Sequence, residues 1–436
     1  MGNVEFIPRT PKRNGSQRKG KAGFYDFYPG YSTGFVTDIL QYWDLMRDSV
    51  ILDPWNGSGT TTEVAAKLGY RAIGYDLNPV MFVVARAREI SIAQCSFISE
   101  VAEKIVEQAK RYRKYPIFQT DPLDDWFVNE TVKTLRAIER SVQSVFFRPG
   151  EYIRLLHHKK CLLSIPSEAA FFYLALFRVL KELSLSFRSS NPTWIKKPKS
   201  PDKRKRFSRD FIIGSFEHQV NELLGLLRDE QRSDYHGETV LGISSSESLP
   251  LKEETVHGVI TSPPYCTRID YAVLTRLELA LLGSDDRNLT KLRECMIGSP
   301  LTRSNEQELK PEWGKLCLET VASIHNHESK ASKTYYRRTY VQYFHALYES
   351  LKEINRVLKR DGKCAFVVQN SYYKEVYIDL GTIVREMADS LRWEVTDQFD
   401  YYFKQNMIRI NTRSNKYREK DDTKGKEIVL LFQKRG

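Results

Sequence analysis

Cysteine is scarce in this sequence, and its few occurrences lie far apart. The six cysteines stand at positions 95, 161, 266, 295, 317 and 364 of a chain of 436 residues, and no two have the Cys-x-x-Cys spacing. This scatter excludes a zinc ribbon and a disulfide framework, and it is typical of a protein in a reducing cytosol. The eight histidines also show no metal-ligand spacing, so we expect no metal site.

Long apolar runs are absent as well. No stretch of 18 or more apolar residues occurs, and the first residues of the chain are polar and basic. The sequence therefore predicts neither a membrane span nor a signal peptide. The hydrophobic fraction of 41% and the charged fraction of 28% are ordinary for a soluble globular protein. The length allows two or three domains, or one core domain with a large insertion.

Acidic residues are outnumbered by basic ones. The 67 Lys and Arg face 55 Asp and Glu, which leaves a formal charge of +12. Residues 196–209 (KKPKSPDKRKRFSR) carry eight basic residues against one acidic residue, and residues 1–22 carry six against one. Such runs are often only solvated surface, but the overall charge favours a polyanionic partner, nucleic acid first. We expect residues 1–22 to form a flexible basic arm.

The segment 49–79 predicts a strand, a glycine-containing loop, a helix and a second strand. The loop, residues 53–60 (DPWNGSGT), carries Gly57 and Gly59, which allow the backbone to pass close to a ligand. The helix that follows presents free N–H groups in its first turn. Asp76, at the end of the second strand and 19 residues after Gly57, is placed to bind a ribose diol.

This loop lacks the residues that two common nucleotide sites require. A dinucleotide site calls for a third glycine where Thr62 stands, and a phosphate-binding loop calls for a lysine that is absent. A nucleoside cofactor without a phosphate chain, such as S-adenosylmethionine, therefore fits better than NAD or ATP. A tight turn between strand and helix, without any ligand, is the simpler interpretation of the same residues.

A second motif, Ser262-Pro263-Pro264-Tyr265, directly follows an apolar run, residues 256–260, that predicts a buried strand. The two prolines fix two φ angles and remove two backbone donors, so the neighbouring carbonyls remain as acceptors between a hydroxyl and an aromatic ring. Such a surface suits an exocyclic amino group on a flat heterocycle, with Tyr265 stacked on the ring. The same residues also occur in ordinary turns at the ends of strands.

The strings DPWNGSGTT, GYDLNP and TSPPY together resemble the motifs of the amino-methyltransferases of DNA. The resemblance covers residues 24–95 and 238–436, and residues 25–40 resemble the family's segment over the methionine part of the cofactor. It implies an α/β fold with a Rossmann-like S-adenosylmethionine methyltransferase sheet, double-stranded DNA as partner, base flipping and direct methyl transfer. Serine at position 262 resembles the N4-cytosine branch. The family resemblance implies a site-specific enzyme of restriction–modification or phage defence, with a cognate endonuclease as a candidate partner.

Three alternatives stay open. Asp or Asn in place of Ser262 is usual for N6-adenine enzymes, which keeps adenine as the second target. RNA amino-methyltransferases share a glycine loop and a Pro-Pro motif, and a catalytically silent DNA-binding subunit would keep the same fold.

The order of the two motifs differs from that of many N4-cytosine enzymes. In this chain the cofactor loop precedes the Ser-Pro-Pro-Tyr motif, whereas N4-cytosine enzymes often have the reverse order.

The resemblance assigns roles to individual residues. Cofactor binding is expected of Tyr28, Asp53, Pro54, Asn56, Gly57, Ser58, Gly59, Thr60, Thr61, Asp76, Leu77 and Asn78. Catalysis is expected of Ser262, Pro263, Pro264 and Tyr265. From the charge pattern, DNA contacts are expected of Lys196, Lys197, Lys203, Arg204, Lys205, Arg206, Arg337 and Arg338. Where the family usually carries an Asp facing the adenine, this chain has only Ser245, Ser246 or Glu247.

Two residues after the second motif have a simple interpretation. C5-cytosine enzymes use a thiolate in a Pro-Cys context, but the order here is Pro-Tyr-Cys, so Cys266 is predicted to be a packing residue. Asp270 and Tyr271 are near enough in sequence to approach a base, or they simply begin a helix, and we favour Asp270 as its N-cap.

The middle of the chain, residues 96–235, is rich in Leu, Phe, Glu and Arg at helical spacing and shows no alternation of strands and helices. We predict a mainly helical insertion between the second and third strands, which is the candidate target-recognition region. Two further basic–aromatic patches, 333–340 and 408–418, are candidates for lining a DNA groove. The predicted organisation is a basic arm (1–22), a first core part with the cofactor loop (23–95), the insertion (96–235) and a second core part with the catalytic motif (236–436).

Overall fold

The computed structural model describes residues 6–12, 19–26, 30–112, 120–147, 152–188, 194–230, 237–266, 269–301, 307–403 and 425–435. The strands are β1 (Val50–Asp53), β2 (Arg71–Asp76), β3 (Thr239–Ile243), β4 (Val256–Thr261), β5 (Leu358–Gln369), β6 (Ser371–Tyr373), β7 (Val376–Ile378), β8 (Trp393–Phe403) and β9 (Gly425–Lys434). The α-helices are α1 (Thr33–Trp43), α2 (Thr60–Lys67), α3 (Pro79–Ala87), α4 (Cys95–Arg111), α5 (Asn129–Phe146), α6 (Lys159–Leu163), α7 (Ser167–Leu183), α8 (Arg209–Arg228), α9 (Tyr271–Leu274), α10 (Arg276–Leu282), α11 (Asp286–Cys295), α12 (Lys315–Asn326), α13 (Arg337–Val357) and α14 (Leu380–Ser390). No helix in these described ranges is long and apolar enough to cross a membrane.

Seven strands form one sheet in the order β3-β2-β1-β4-β5-β9-β8. The first five are parallel to one another, and β9 runs antiparallel to both β5 and β8. Because β1 lies between β2 and β4, the chain order of the strands reverses at β1. In open α/β sheets, ligands bind at the carboxyl ends of the strands beside such a reversal. Both sequence motifs follow strands at this point, and the predicted Rossmann-like sheet is confirmed.

Local sequence accounts for the elements around the reversal. The helix α3 begins where the Asn78 side chain accepts a hydrogen bond from the Val80 N–H, with Pro79 in the first turn. The predicted strands agree with β1 to β4 to within one or two residues. Residues 359–362 belong to β5, where Asp361 has a φ of 58° and the pairing with β4 shifts register.

The central strands β1, β2 and β4 are buried on both faces, which explains why they are nearly continuous apolar runs, whereas alternate residues of the edge strand β8 are exposed. One face packs on α1 and α2 through side chains that include Ile51, Ile260 and Val367. The other face packs on α12, α13 and α14 through side chains that include Leu52 and Phe366. Successive residues of a strand therefore point into two different cores.

The described chain between β2 and β3 is helical, as predicted. The helices α4, α5, α7 and α8 share one apolar core with α3 and α10, and Leu241 and Ile243 of β3 pack against it. The buried guanidinium of Arg136 in α5 donates to the carbonyls of Ala280 and Leu281 in α10, at 3.1 and 2.5 Å. The insertion is thus continuous with the layer of helices that covers the sheet.

Residues 6–12 differ from the flexible arm that composition predicts. The Arg9 guanidinium donates to both carboxylate oxygens of Asp38 in α1, at 2.8 and 2.6 Å. The Tyr401 hydroxyl in β8 donates to the Pro8 carbonyl at 2.5 Å. A count of charges does not show that Arg9 has an acidic partner 29 residues away.

Candidate functional site

A pocket of about 900 Å³, including its open mouth, lies at the carboxyl ends of β1, β2, β3 and β4. The loop after β1 and the Ser-Pro-Pro-Tyr motif after β4 both line it. Of the residues predicted to bind a cofactor, those that line this pocket are Pro54, Asn56, Gly57, Ser58, Thr60, Asp76, Leu77 and Asn78. Asp53, Gly59 and Thr61 are not among the residues that line the pocket. Tyr28 is not among the residues that the structure describes.

The loop after β1 depends on glycine at three positions. Gly57 has a φ of 49° and Gly59 a φ of 86°, in the left-handed region that favours glycine. Gly74, in β2, is required for a different reason, because a Cβ there would lie 2.5 Å from the side-chain Cγ of Asn56. The Asn56 N–H donates to the Tyr75 carbonyl at 2.9 Å, which holds the loop across β2 at this close approach. Gly74 had no predicted role beyond its place in the strand.

Asp76 lies at the edge of the pocket, between the loop and α3. Its two carboxylate oxygens accept hydrogen bonds from the N–H groups of Gly57 at 2.9 Å and Asn78 at 2.8 Å. Burial raises the pKa of Asp76 to about 6, in spite of these two hydrogen bonds, which act to lower it. The carboxylate is therefore mainly ionised at neutral pH, and its remaining lone pairs can accept from a diol.

Asp53 is buried behind the pocket and joins the loop to the neighbouring strand. Its carboxylate accepts hydrogen bonds from the hydroxyls of Tyr31 at 2.7 Å, Thr61 at 2.7 Å and Thr261 at 2.6 Å. Burial raises the pKa of Asp53. Its contribution to a ligand is indirect, because these bonds hold α2 and β4 in place around the pocket.

The Ser-Pro-Pro-Tyr motif contributes all four of its residues, 262–265, to the pocket. The Ser262 hydroxyl donates to the Val367 carbonyl of β5 at 2.9 Å. Because a serine hydroxyl has one proton, this bond leaves the lone pairs of Ser262 Oγ as acceptors for a ligand.

The simple interpretations of Cys266 and Asp270 agree with the structure. The Cys266 side chain is buried in the core that covers one face of the sheet. One carboxylate oxygen of Asp270 accepts from the Val273 N–H at the start of α9, at 3.1 Å. The other accepts from the Arg293 guanidinium at 2.8 Å. Protein groups therefore bind both oxygens of Asp270.

Hydroxyl groups lie where the family usually carries an Asp. Ser244, Ser245 and Ser246 line the pocket after β3, whereas Glu247 is not part of the described lining. The Ser246 hydroxyl lies 2.9 Å from the Ser350 hydroxyl in α13. Serine and backbone groups, in place of a carboxylate, therefore face this end of the pocket.

The segment at the end of α11 was missed by sequence analysis. Cys295, Met296 and Ile297 line the pocket. No local pattern marks residues 295–297, because they reach the pocket only through the packing of α11.

The pocket has little formal charge. Among the residues that the structure describes, no Lys, Arg or His lines it, and Asp76 is its one carboxyl group. The aromatic rings of Trp55 and Tyr265 add π-faces, which attract cations. Such a lining suits a nucleoside or a cationic ligand better than a phosphate. In the same described ranges, no group of three His, Cys, Asp or Glu side chains is arranged to hold a metal ion.

Lys197, one of the residues predicted to contact DNA, is engaged within the protein. Its ammonium group lies 2.6 Å from the Asp286 carboxylate and also pairs with Asp125. It lies 5.5 Å from the centroid of the Trp126 ring as well. These contacts offset the charge that a phosphate would bind.

The other basic residues of this segment have more exposed positions. Lys196, Lys203, Lys205 and Arg206 are exposed, and Arg204 is half-buried. Arg206 lies 3.6 Å from Glu130 in a pair that is exposed on both sides. No ion pair with another described residue is formed by Lys196, Lys203 or Lys205. These side chains remain available to a polyanion.

Arg337 and Arg338 lie at the start of α13, where both are half-buried and both interact with other residues of the protein. Tyr335 and Tyr336, in the π-helical turn just before α13, are 40% and 36% exposed. The first basic–aromatic patch therefore presents tyrosines more than arginines at its surface. The second patch, 408–418, lies outside the described residues.

Comparison with known proteins adds a family match. The profile of the N6/N4 methyltransferase family, a DNA methylase family, matches residues 36–86 and 256–436. The chain is 23% identical over 411 residues to the Type II methyltransferase M.MvaI of Kocuria varians, across 88% of this chain and 84% of that protein. It is 25% identical over 316 residues to the Type II methyltransferase M.BsoBI of Geobacillus stearothermophilus, across 67% of this chain and 58% of that protein. A solved structure, the YcgJ protein of Bacillus subtilis, aligns with a TM-score of only 0.31 and 8% identity, across 92% of this chain and 98% of that one.

Proposed function

Because this chain belongs to the N6/N4 DNA methylase family, we propose that it transfers a methyl group from S-adenosylmethionine to the exocyclic N4 of cytosine in duplex DNA. S-adenosylmethionine is the cofactor of such methyltransferases, and it supplies an electrophilic methyl group on a sulfonium sulfur. The relatives are Type II methyltransferases. On that basis we place the protein in a restriction–modification setting, with an endonuclease as candidate partner.

The described lining of the pocket fits this cofactor. Gly57 and its N–H group bring the backbone close to the space beside Asp76, whose carboxylate can accept from a ribose diol. The serine-rich loop after β3 offers polar groups to an adenine ring. The absence of Lys, Arg and His from the described lining agrees with a ligand that carries no phosphate chain. Trp55 provides a π-face for a sulfonium cation.

One observation carries the proposed reaction: Ser262 Oγ is oriented as an acceptor in the same pocket as Asp76. Its proton is directed to the Val367 carbonyl, so its lone pairs can accept from an exocyclic amine. A second acceptor is the Pro263 carbonyl. Two such hydrogen bonds draw the amine nitrogen toward tetrahedral geometry and direct its lone pair. Catalysis then comes mainly from positioning and electrostatics.

The target base must leave the DNA helix to reach the pocket. Its unstacking costs a few kcal/mol, and Tyr265 replaces part of the lost stacking. Serine in the first position of the motif supports cytosine over adenine. Ser262 is a weak base, so the proton of the amine is lost with methyl transfer or after it.

The helical insertion is the proposed target-recognition region. Its exposed Lys203, Lys205 and Arg206 offer positive charge to DNA phosphates. Lys197 already forms ion pairs with Asp125 and Asp286, so we assign it no such contact.

Nucleoside mass spectrometry tests the proposal directly. We expect N4-methylcytosine in the DNA of bacteria that express the protein and much less in the DNA of bacteria that express Ser262→Ala. N6-methyladenine in its place would show that the target base is wrong while the family chemistry holds. Methyl label found only in RNA, in a transfer assay with tritiated S-adenosylmethionine, would refute DNA as the substrate.

A further inference from the structure

The peptide bond between Pro264 and Tyr265 is held on both edges by tyrosine hydroxyls. Tyr343, in α13, donates to the Pro264 carbonyl at 2.9 Å. On the other edge, the Tyr265 N–H donates to the hydroxyl of Tyr271, in α9, at 3.2 Å. Tyr343 is only 2% exposed, so removal of its hydroxyl would leave the Pro264 carbonyl without that partner.

Gly298 packs closely against the next carbonyl along the chain, that of Tyr265. Gly298 has a φ of 80°, and a Cβ at this position would lie 2.7 Å from the Tyr265 carbonyl oxygen. Glycine is required for so close an approach. The pocket residues Met296 and Ile297 directly precede Gly298, so the same contact sets their distance from the catalytic motif.

The prolines alone leave part of this turn undetermined. Each ring fixes φ at about −65°, and the ring of Pro264 also restricts the ψ angle of Pro263, but the ψ angle of Pro264 stays free to rotate. The ψ angle of Pro264 sets the direction of its own carbonyl and of the Tyr265 N–H. Because both groups bind tyrosines from outside the motif, tertiary contacts determine this angle. The same angle determines where the Tyr265 side chain begins, and hence where its ring lies.

We propose that Tyr343, Tyr271 and Gly298 are positioning residues for the methyl-transfer step. They fix the orientation of one peptide in the catalytic motif, and that peptide places the stacking ring of Tyr265. This inference rests on the proposed function, since the positioned groups are those that hold a flipped base.

The same contacts select the backbone acceptor for the amine. The Pro264 carbonyl is already bound by the Tyr343 hydroxyl. No hydrogen bond from the described part of the chain reaches the Pro263 carbonyl. The Pro263 carbonyl is therefore the one that stays available beside Ser262 Oγ.

The Tyr343→Phe substitution tests the inference, because it removes one hydroxyl and keeps the ring. We expect kcat for DNA methylation to fall by about 10-fold to 100-fold, since small displacements of reacting groups have effects of this size. The dissociation constant of S-adenosylmethionine, measured by calorimetry, should stay at the wild-type value. With a fluorescent cytosine analogue at the methylated position, the flipped base should be less quenched in the variant, because its stacking on Tyr265 is weakened.

Tyr348→Phe is the matched control. Tyr348 lies in the same helix, and its hydroxyl is 3.2 Å from Ser390 Oγ, in a contact that does not involve the motif. We expect this variant to keep the wild-type kcat and base fluorescence. An equal loss of kcat in both variants would trace the effect to the stability of α13 and overturn the inference. Should Tyr343→Phe fail to fold, Tyr271→Phe decides by the same readouts.

The two proposals fail in different ways. A wild-type protein that binds S-adenosylmethionine but methylates no DNA overturns the proposed function. A wild-type protein that methylates DNA, together with an unimpaired kcat in Tyr343→Phe and Tyr271→Phe, overturns only the positioning roles.

Discussion

Ser262 Oγ lies 2.9 Å from the carbonyl oxygen of Val367 and donates its proton to it. This bond joins the end of β4 to β5 across 105 residues of sequence. It makes the serine an acceptor toward the pocket, and an acceptor is what an exocyclic amine with two protons requires. The direction of one hydroxyl thus connects the packing of the sheet with the proposed chemistry.

Loss of this hydroxyl should affect the reaction more than binding. For Ser262→Ala we expect kcat to fall by about 100-fold, the typical effect of removing one preorganised hydrogen-bonding group. Calorimetry should show an unchanged dissociation constant for S-adenosylmethionine. Ser390→Ala is a suitable control, because Ser390 Oγ donates to the Met387 carbonyl at 2.7 Å in α14, in the same kind of bond. A similar kcat for the two variants would contradict the role of Ser262.

Cofactor binding should weaken in mild acid because of Asp76. Burial raises its pKa to about 6, so the carboxylate is ionised above that pH and becomes protonated below it. Protonation removes both the negative charge and an acceptor, and we expect affinity for S-adenosylmethionine to fall by about tenfold per pH unit well below pH 6. Asp76→Asn should bind more weakly, with no such fall. Calorimetric titrations from pH 5 to 8 measure the affinity of the wild-type protein and of Asp76→Asn for S-adenosylmethionine. Equal pH profiles for the two proteins would refute the role of Asp76 in cofactor binding.

Gly74 should be as sensitive as the glycines of the loop itself. In Gly74→Ala the new Cβ would lie 2.5 Å from the Asn56 side chain, so the loop must move away from β2. We expect a loss of about 1–3 kcal/mol in the free energy of unfolding, and weaker binding of S-adenosylmethionine. Gly214→Ala in α8 is the control, since nothing lies within 4 Å of its added Cβ. Thermal melting measures the stability of the two variants, and calorimetry measures their affinity for S-adenosylmethionine. A wild-type affinity in Gly74→Ala would contradict the packing argument.

The lysines of the basic segment should separate into two classes. Simultaneous Lys203→Ala and Lys205→Ala substitutions should weaken binding to duplex DNA and reduce the slope of log affinity against log salt by about 2, because each phosphate contact adds nearly one to that slope. Lys197→Ala should leave the slope unchanged, because Asp286 and Asp125 already bind this ammonium group. Fluorescence anisotropy at several salt concentrations gives the slopes. The assignment is wrong if Lys197→Ala changes the slope as much as the double variant.

Prediction from the sequence succeeded where local pattern decides structure. The two strands and the helix predicted within residues 49–79 are β1 (Val50–Asp53), β2 (Arg71–Asp76) and α2 (Thr60–Lys67). These elements depend on apolar spacing and on glycines within a few residues. Parallel strands of one sheet have their carboxyl ends at one edge, so the two motifs were expected to meet. They do meet, in one pocket.

Prediction was incomplete where partners are far apart in the chain. Residues 295–297 line the pocket without any local signal. Lys197 was expected at DNA because its sequence neighbours are basic, whereas its partner Asp286 is 89 residues away. Arg9 was assigned to a free arm for the same reason. Charge runs in a sequence do not reveal which charges are paired in the fold.

The sequence by itself determined which chemical groups this protein offers at its pocket: a glycine loop, the carboxylate of Asp76, and a serine, two prolines and a tyrosine. These follow from residue type and short spacing. Only the tertiary structure decided their orientation. The Ser262 proton points to Val367, and Tyr343 binds Pro264 across 79 residues, because the helices and strands pack in this particular arrangement. The direction of a hydroxyl or a carbonyl group depends on the residues packed around it, and these come from distant parts of the chain.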